Sequence, residues 1–142
     1  MQTFKEDLAY GKEVEKTVLS MIQKKYPLAF MIEGKFSPYD IFIPEISTSV
    51  EVKADQKSKF TGNLVIEVAM YGKPSALMTT LADYWVIYTG NEYIWIKPIN
   101  LKKMIILEAL NQRTFVGKGD TEPKRAYLPK IEQVKKYAER II

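Results

Sequence analysis

The stretch YDIFIPEISTSVEVKA, residues 39–54, contains the two strands around which the rest of the fold is built. Tyr39–Ile43 and Ser49–Ala54 are rich in β-branched and aromatic residues, and a proline-containing turn separates them, so each predicts a β-strand. Successive side chains of a strand point to opposite faces. Glu51 and Lys53 are therefore expected on one face, and the small and apolar residues beside them on the other.

Asp40 stands at the start of the first of these strands. A short antiparallel connection from Pro44 to Thr48 would place it beside the Glu51 end of the next strand. Two carboxylates can then converge on one divalent cation, with Lys53 a pleat away. Such a cation offsets charge on a phosphodiester and lowers the pKa of a bound water, while the lysine stabilises hydroxide or the developing charge on the phosphate. The pattern indicates metal-assisted phosphodiester hydrolysis.

Asp40, ten intervening residues and then Glu51-Val52-Lys53 resemble the D-x(n)-E-x-K signature of the PD-(D/E)XK nuclease superfamily. The proline of the nominal motif is displaced by one place, because Tyr39 stands directly before Asp40. Three further runs are similar to small phage-type and Holliday-junction-resolvase-like nucleases of this superfamily. These are Thr61-Gly-Asn-Leu-Val-Ile-Glu67, Lys73-Pro-Ser75 and Thr80-Leu-Ala-Asp-Tyr-Trp85.

The resemblance covers roughly residues 8–97 and implies a single α/β domain, with a central mixed β-sheet flanked by helices in a restriction-endonuclease-like core. Residues 98–142 are expected to add a C-terminal helical extension. Asp40, Glu51 and the backbone carbonyl of Val52 would bind Mg²⁺ or Mn²⁺, and Lys53 would assist the attacking water. The resemblance also implies DNA as substrate (duplex, branched or single-stranded), 5′-phosphate products, often a homodimer, and a phage or mobile-element origin.

Two more acids are candidates for the same site. Such nucleases often carry an acid on the first helix, and Glu15 shares a helix face with Val18 and Leu19, whereas Glu13 does not. The alternative role for Glu15 is a surface salt bridge. Glu67 interrupts an apolar strand and would reach the metal if that strand pairs with the Glu51 strand; otherwise it is an acid that discourages edge pairing.

Other polar residues are candidates for nucleic-acid contacts. Lys73 and Ser75 lie on a predicted turn into a short helix, residues 75–82, whose free N–H groups favour a phosphate. Such residues are more often a turn and a helix cap than a phosphate site. Thr61 and Asn63 would line the same opening of the candidate site. Basic residues surround a predicted loop from Phe115 to Pro129 and either contact phosphates or are simply solvated. They are Arg113, Lys118, Lys124, Arg125 and Lys130.

The composition narrows the chemistry further. The chain has no cysteine and no histidine, which excludes disulfides, thiolate and imidazole metal sites, and Ser-His or Cys-His catalysis. Any metal must be held by oxygen ligands, which favours Mg²⁺ or Mn²⁺. A net charge of +4 permits a polyanionic partner. The first residues lack the apolar core of a signal peptide, and no run approaches the roughly 18 apolar residues of a membrane span, so a cytoplasmic, intracellular protein is expected.

The remaining patterns complete an α-β-β-β-β-α-β-β-α-α order, which is typical of an α/β or α+β domain around one mixed sheet. Helices are predicted over residues 8–25, 101–111 and 131–141, and further strands over Leu28–Ile32, Leu64–Ala69, Tyr84–Thr89 and Tyr93–Lys97. The aromatic residues of the last two strands predict hairpin packing. Two functions other than a nuclease remain: a catalytically inactive nucleic-acid-binding module, and a viral interaction protein whose aromatic hairpin packs on a partner.

Overall fold

In residues 4–34, 37–116 and 123–142, which the computed structural model describes, the chain forms two β-sheets and four helices. The first helix, α1 (Phe4–Gln23), begins earlier than its apolar pattern predicts. Val14, Val18 and Ile22 recur at helical spacing and are buried, so α1 presents one apolar stripe to the sheet. None of the helices in the described ranges is both long enough and apolar enough to cross a membrane.

The main sheet has six strands in the order β1-β2-β3-β6-β7-β10. Its strands are β1 (Phe30–Met31), β2 (Ile41–Ile43), β3 (Thr48–Ala54), β6 (Tyr84–Tyr88), β7 (Tyr93–Ile96) and β10 (Arg140–Ile141). All neighbours are antiparallel except β3 and β6, which run parallel and place Glu51 opposite Trp85. The sheet is therefore mixed, as predicted, and β3 lies inside it with a partner on each side.

A second, wholly antiparallel sheet has the order β5-β4-β9-β8. Its strands are β4 (Ile66–Met70), β5 (Lys73–Pro74), β8 (Arg113–Phe115) and β9 (Lys124–Tyr127). β4 and β5 belong to the connection that carries the chain from β3 to β6. β8 and β9 come from the C-terminal part of the chain, so this sheet joins segments that are distant in sequence.

Two apolar cores lie on opposite faces of the main sheet. One lies between α1 and the sheet and includes Val50, Val52 and Val86. The other packs Trp85 and its neighbours against the second sheet, α3 (Pro98–Leu107) and α4 (Ile131–Lys136). The aromatic hairpin of β6 and β7 contributes to both, as predicted. The chain is thus a single α/β domain whose mixed central sheet is flanked by helices.

Several predicted elements differ from those in the structure. The predicted helix over residues 75–82 is only a 3₁₀ turn, Ala76–Met78. The predicted loop from Asp55 to Asn63 contains a short helix, α2 (Ser58–Thr61). The predicted loop from Phe115 to Pro129 contains β9, while its residues 117–122, Lys118 among them, lie outside the described residues.

The C-terminal extension is not purely helical. The helix predicted from residue 101 begins at Pro98, since proline suits the first helical position, and it ends at Leu107. The last helix is shorter than its apolar stripe and is followed by β10. Residues 98–142 thus supply strands to both sheets, because β10 pairs with β7 and β9 pairs with β4. This part of the chain completes the domain.

Candidate active site

Asp40 lies immediately before β2, where the ladder between β2 and β3 ends. Its backbone N–H donates to the carbonyl of Val50 over 3.0 Å. Its side-chain Oδ2 accepts a hydrogen bond from the backbone N–H of Val52 over 2.7 Å. The N–H and C=O of one residue point to the same side of an extended strand, so the carbonyl of Val52 is expected on the side of β3 that faces β2. Asp40 is held at the edge of β3.

Glu51 and Lys53 project from the face of β3 that is turned away from α1, as the alternation predicts. Lys53 Nζ lies 3.4 Å from Glu51 Oε1, and the exposed fractions of the two side chains are 41% and 23%, so both reach solvent. The ring of Trp85 supports the lysine, with Nζ 5.1 Å from the ring centroid. A lysine in this position can donate to a water or a phosphate oxygen and keep its aromatic contact.

Glu15 is the acid of α1 that faces Asp40. Its side chain is partly buried, whereas Glu13 is exposed and pairs with Lys16 at 3.6 Å. Burial raises the pKa of Glu15, and the charge of Asp40 and a hydrogen bond to Asp40 act in the same direction. Two carboxyl groups can share a hydrogen bond only if one is protonated, and this bond raises the pKa of Glu15 and lowers that of Asp40. The two acids are therefore close enough for each to shift the pKa of the other.

Asp40 combines burial with neighbouring negative charge. Burial raises its pKa above the usual range, and the charge of Glu51 adds to this effect. The hydrogen bond from Val52 and the charge of Lys53 oppose the rise. A partly buried carboxylate beside other acids is costly without a compensating cation. A cation bound between Asp40 and Glu51 would supply that compensation.

The donor set of this site consists of oxygen atoms. It offers the carboxylates of Asp40 and Glu51 and the carbonyl of Val52, which suits hard ions such as Mg²⁺ and Mn²⁺. Within the described residues, no group of three or more acidic side chains is arranged to hold a metal on its own. Mg²⁺ usually binds through one or two carboxylates and completes its shell with water and substrate phosphates. The residues present fit that mode of binding.

Glu67 does not lie on a strand next to β3, so the pairing that its predicted role required is wrong. Its strand, β4, pairs with β5 and β9 in the second sheet. Glu67 accepts a hydrogen bond from Ser75 Oγ over 2.8 Å and pairs with Lys124 Nζ at 3.3 Å. Glu67 still lies near the site, because it lines a cavity of about 230 Å³ together with Lys53 and Lys124. The local apolar pattern of β4 could not reveal which sheet the strand joins.

Lys73 and Ser75 do not lead into the predicted helix. Lys73 is exposed on the short strand β5, and Ser75 precedes the 3₁₀ turn without capping it through its side chain. The Ser75 N–H donates to the carbonyl of Val68 over 2.9 Å. The predicted helix N-terminus, with free N–H groups for a phosphate, is therefore absent here.

Thr61 and Asn63 form a local turn. The Asn63 N–H donates to Thr61 Oγ1 over 3.2 Å, and Thr61 Oγ1 donates to the carbonyl of Asn63 over 3.3 Å. Neither residue lines the two cavities that contain Lys53. Their hydrogen bonds close the turn after α2, and the structure does not bring them to the acids.

The side chains of Lys124 and Arg125 point to opposite faces, because the two are consecutive residues of β9. Lys124 is partly buried and points into the cavity that it shares with Lys53. Arg125 is exposed. Of the two, only Lys124 lies across the cavity from the candidate catalytic lysine.

A second cavity, of about 370 Å³, adjoins Lys53 on its other side. Asp55 lines it and is fixed by backbone hydrogen bonds: Oδ1 accepts from Ser58 N–H and Oδ2 from Val65 N–H, both over 3.2 Å. Burial raises the pKa of Asp55, although these hydrogen bonds oppose the rise. Lys57 also lines this cavity. Lys53 thus stands between two recesses, each bounded by the main sheet and by residues that lead into or form β4.

Thr80 belongs to this site, although the sequence gives it no role. Its Oγ1 donates to Glu51 Oε2 over 3.2 Å and accepts from the indole N–H of Trp85 over 3.0 Å. The residue lies in an irregular segment before β6, where no periodicity exists to assign it a face. The one available signal is its place beside Trp85 in the run that resembles the phage-type nucleases.

Comparison of the chain with models of protein families, with curated proteins and with solved structures finds no match.

Proposed function

We propose that this chain is a divalent-metal-dependent nuclease that hydrolyses DNA phosphodiester bonds at Asp40, Glu51 and Lys53. The observation that carries the proposal is that Asp40 lies near enough to Glu51 for the charge of Glu51 to raise its pKa, with Lys53 paired to Glu51. Lys53 Nζ lies 3.4 Å from Glu51 Oε1, and Asp40 is fixed by its 2.7 Å hydrogen bond to the backbone of the same strand.

The role of the cation follows from the donor set. Asp40, Glu51 and the carbonyl of Val52 would hold Mg²⁺ or Mn²⁺, which supplies charge neutralisation at the scissile phosphate and a lowered pKa for an attacking water. Glu15 would act through Asp40, since the two side chains lie close enough to shift each other's pKa and an outer acid can orient a metal ligand. In this proposal Glu15 is a supporting acid.

Lys53 would carry out the step closest to the reacting atoms. Its ammonium can orient the attacking water or stabilise the charge that develops on the phosphate. The water oxygen would bond to phosphorus and give up a proton, while the bond from phosphorus to the 3′ oxygen breaks and that oxygen takes up a proton. A 5′-phosphate and a 3′-hydroxyl would result. The aromatic ring of Trp85 holds the stem and charge of Lys53 in place. Lys124, across the adjoining cavity, would contact a neighbouring phosphate.

The test is cleavage of labelled single-stranded, duplex, flap and four-way-junction DNA with Mg²⁺ or Mn²⁺. Lys53→Met keeps the aliphatic stem over Trp85 and removes only the charge, and it should lower the rate by about 100-fold or more. Lys16→Met, on the exposed face of α1, is the matched control and should cleave as the native chain does. Equal cleavage by Lys53→Met would overturn the mechanism.

Two other outcomes would replace the proposal. DNA binding with neither metal binding nor cleavage on any substrate would indicate a non-catalytic nucleic-acid-binding module. A melting temperature that neither Mn²⁺ nor DNA changes would favour an interaction protein. Cleavage restricted to the four-way junction would identify a resolvase of branched DNA.

A further inference from the structure

One buried aromatic residue contacts Lys53 directly and is linked to Glu51 through a hydroxyl group. Trp85 is 2% exposed and stands directly opposite Glu51 in the parallel register of β3 and β6. Its ring lies against the Lys53 ammonium, and its indole N–H donates to Thr80 Oγ1 over 3.0 Å. Thr80 Oγ1 in turn lies 3.2 Å from Glu51 Oε2. Glu51 is therefore linked to Trp85 through one hydroxyl group.

The hydrogen-bonding capacity of that hydroxyl fixes its direction. A threonine hydroxyl has one hydrogen to donate and two lone pairs that accept. Thr80 Oγ1 accepts from the Trp85 indole, which is only a donor, and from the Ala82 N–H over 3.3 Å. Both lone pairs are thereby used, so the hydrogen is left for Glu51. Thr80 can face this carboxylate only as a donor.

The carboxylate of Glu51 is consequently held at both of its oxygens. Oε2 accepts from Thr80, and Oε1 pairs with Lys53 at 3.4 Å. Each carboxylate oxygen has more than one lone-pair site, so a cation can still bind. With two supports, the carboxylate cannot rotate freely about its last bond. Mg²⁺ requires near-ideal octahedral geometry, so a ligand whose orientation is fixed suits it.

We propose that Thr80, oriented by Trp85, is the positioning residue that presents Glu51 to the divalent cation. This inference rests on the proposed function, because it assigns Thr80 its role through a metal ligand. Thr80 itself touches neither the cation nor the substrate. Thr80 is partly buried and follows the 3₁₀ turn, and its hydroxyl contacts Glu51 of β3 and Trp85 of β6. Thr80 thus lies in the long connection from β3 to β6 and contacts Glu51 on the strand where that connection begins.

The experiment compares three variants of the full chain by calorimetric titration with Mn²⁺. Thr80→Val preserves the shape of the side chain and removes the hydroxyl, and it should weaken Mn²⁺ binding by about 10–100-fold. Thr80→Ser restores the hydroxyl and should bring the affinity back to within about threefold of native, since the same bonds can form. Thr79→Val, at the exposed neighbouring position, should bind as the native chain does.

Cleavage kinetics give a second reading. Thr80→Val should lower kcat at saturating Mn²⁺ and leave KM for DNA unchanged, because Thr80 does not touch the substrate. Circular dichroism confirms that each variant is folded before it is titrated. Native Mn²⁺ affinity in folded Thr80→Val would overturn the positioning role and leave the nuclease proposal intact. Absence of Mn²⁺ binding by the native chain would overturn both.

Discussion

The backbone N–H of Val52 donates to Oδ2 of Asp40 over 2.7 Å, which extends the pairing of β2 and β3 by one side-chain bond. The backbone ladder of these strands ends at the N–H of Asp40, so the carboxylate supplies the next acceptor itself. A side chain that replaces a main-chain acceptor is fixed almost as firmly as the strand. This bond also gives Asp40 a structural role, so a variant that tests metal binding must keep an acceptor at this position.

Asp40→Asn should separate the structural role from metal binding. The amide oxygen can still accept from Val52, so the fold should survive, while the loss of charge removes a ligand. Changes in outer partners of a metal ligand typically cost about 10–100-fold in affinity, and loss of the ligand should cost at least as much. Calorimetric titration with Mn²⁺ measures the effect, and circular dichroism checks the fold. Undiminished Mn²⁺ binding by this variant would remove Asp40 from the metal site.

Glu15→Ala and Glu13→Ala form a matched pair on one helix, because alanine removes the hydrogen-bonding group of each side chain. Glu15 shares a hydrogen bond with Asp40, whereas Glu13 is exposed on the other side of α1. The first variant should weaken Mn²⁺ binding by about tenfold or more, and the second should leave it unchanged. The same titration at one pH measures both affinities. If the two variants behave alike, Glu15 has only a surface role.

Lys124→Ala and Arg125→Ala test whether Lys124, across the cavity from Lys53, contacts a DNA phosphate. A lysine that contacts one phosphate contributes about one unit to the slope of log affinity against log salt concentration. Binding of the cleavage-impaired Lys53→Met variant to DNA, measured by fluorescence anisotropy at several salt concentrations, gives the reference slope. Adding Lys124→Ala should reduce it by about one, and adding Arg125→Ala should change it less. The reverse order would place the nucleic acid on the outer face of the second sheet.

The raised pKa of Asp55 predicts that the free energy of unfolding depends on pH. Burial raises its pKa in the folded chain, so the folded state binds more protons than the unfolded chain between the two pKa values. The free energy of unfolding should therefore fall as the pH rises above about 4, the ordinary pKa of an aspartate. Asp55→Asn removes this contribution and should lessen the fall. Urea unfolding of both proteins across this range measures it, and parallel curves would show that Asp55 does not contribute.

The face of β3 could be predicted because it depends on neighbours in sequence. Val50 and Val52 alternate with Glu51 and Lys53, and an extended strand turns such alternation directly into two faces. Burial of the valines against α1 and exposure of the charged pair agree with this expectation. Asp40 could be placed for a similar reason, since a short connection leaves two strands little choice but to pair as neighbours.

The partner of β4 could not be predicted in the same way. Ile66 and Val68 are buried with Glu67 between them, and this pattern suits a strand in either sheet. β9 was missed because Lys124-Arg-Ala-Tyr127 is polar and short; it is a strand because it lies between β4 and β8. Thr80 has no pattern at all, since its role depends on two residues brought together by the fold. Contacts between distant segments decide all three cases.

The parallel pairing of β3 with β6 has a consequence for the order of folding. The β2–β3 hairpin closes a short loop and can form early, bringing Asp40 and Glu51 together. Thr80 and Trp85 arrive only when the chain has returned from the second sheet, and such long-range closure is slow. We expect the acids to meet before their supports are in place. The ability to bind metal tightly should therefore appear in the last phase of refolding, together with the native tryptophan fluorescence.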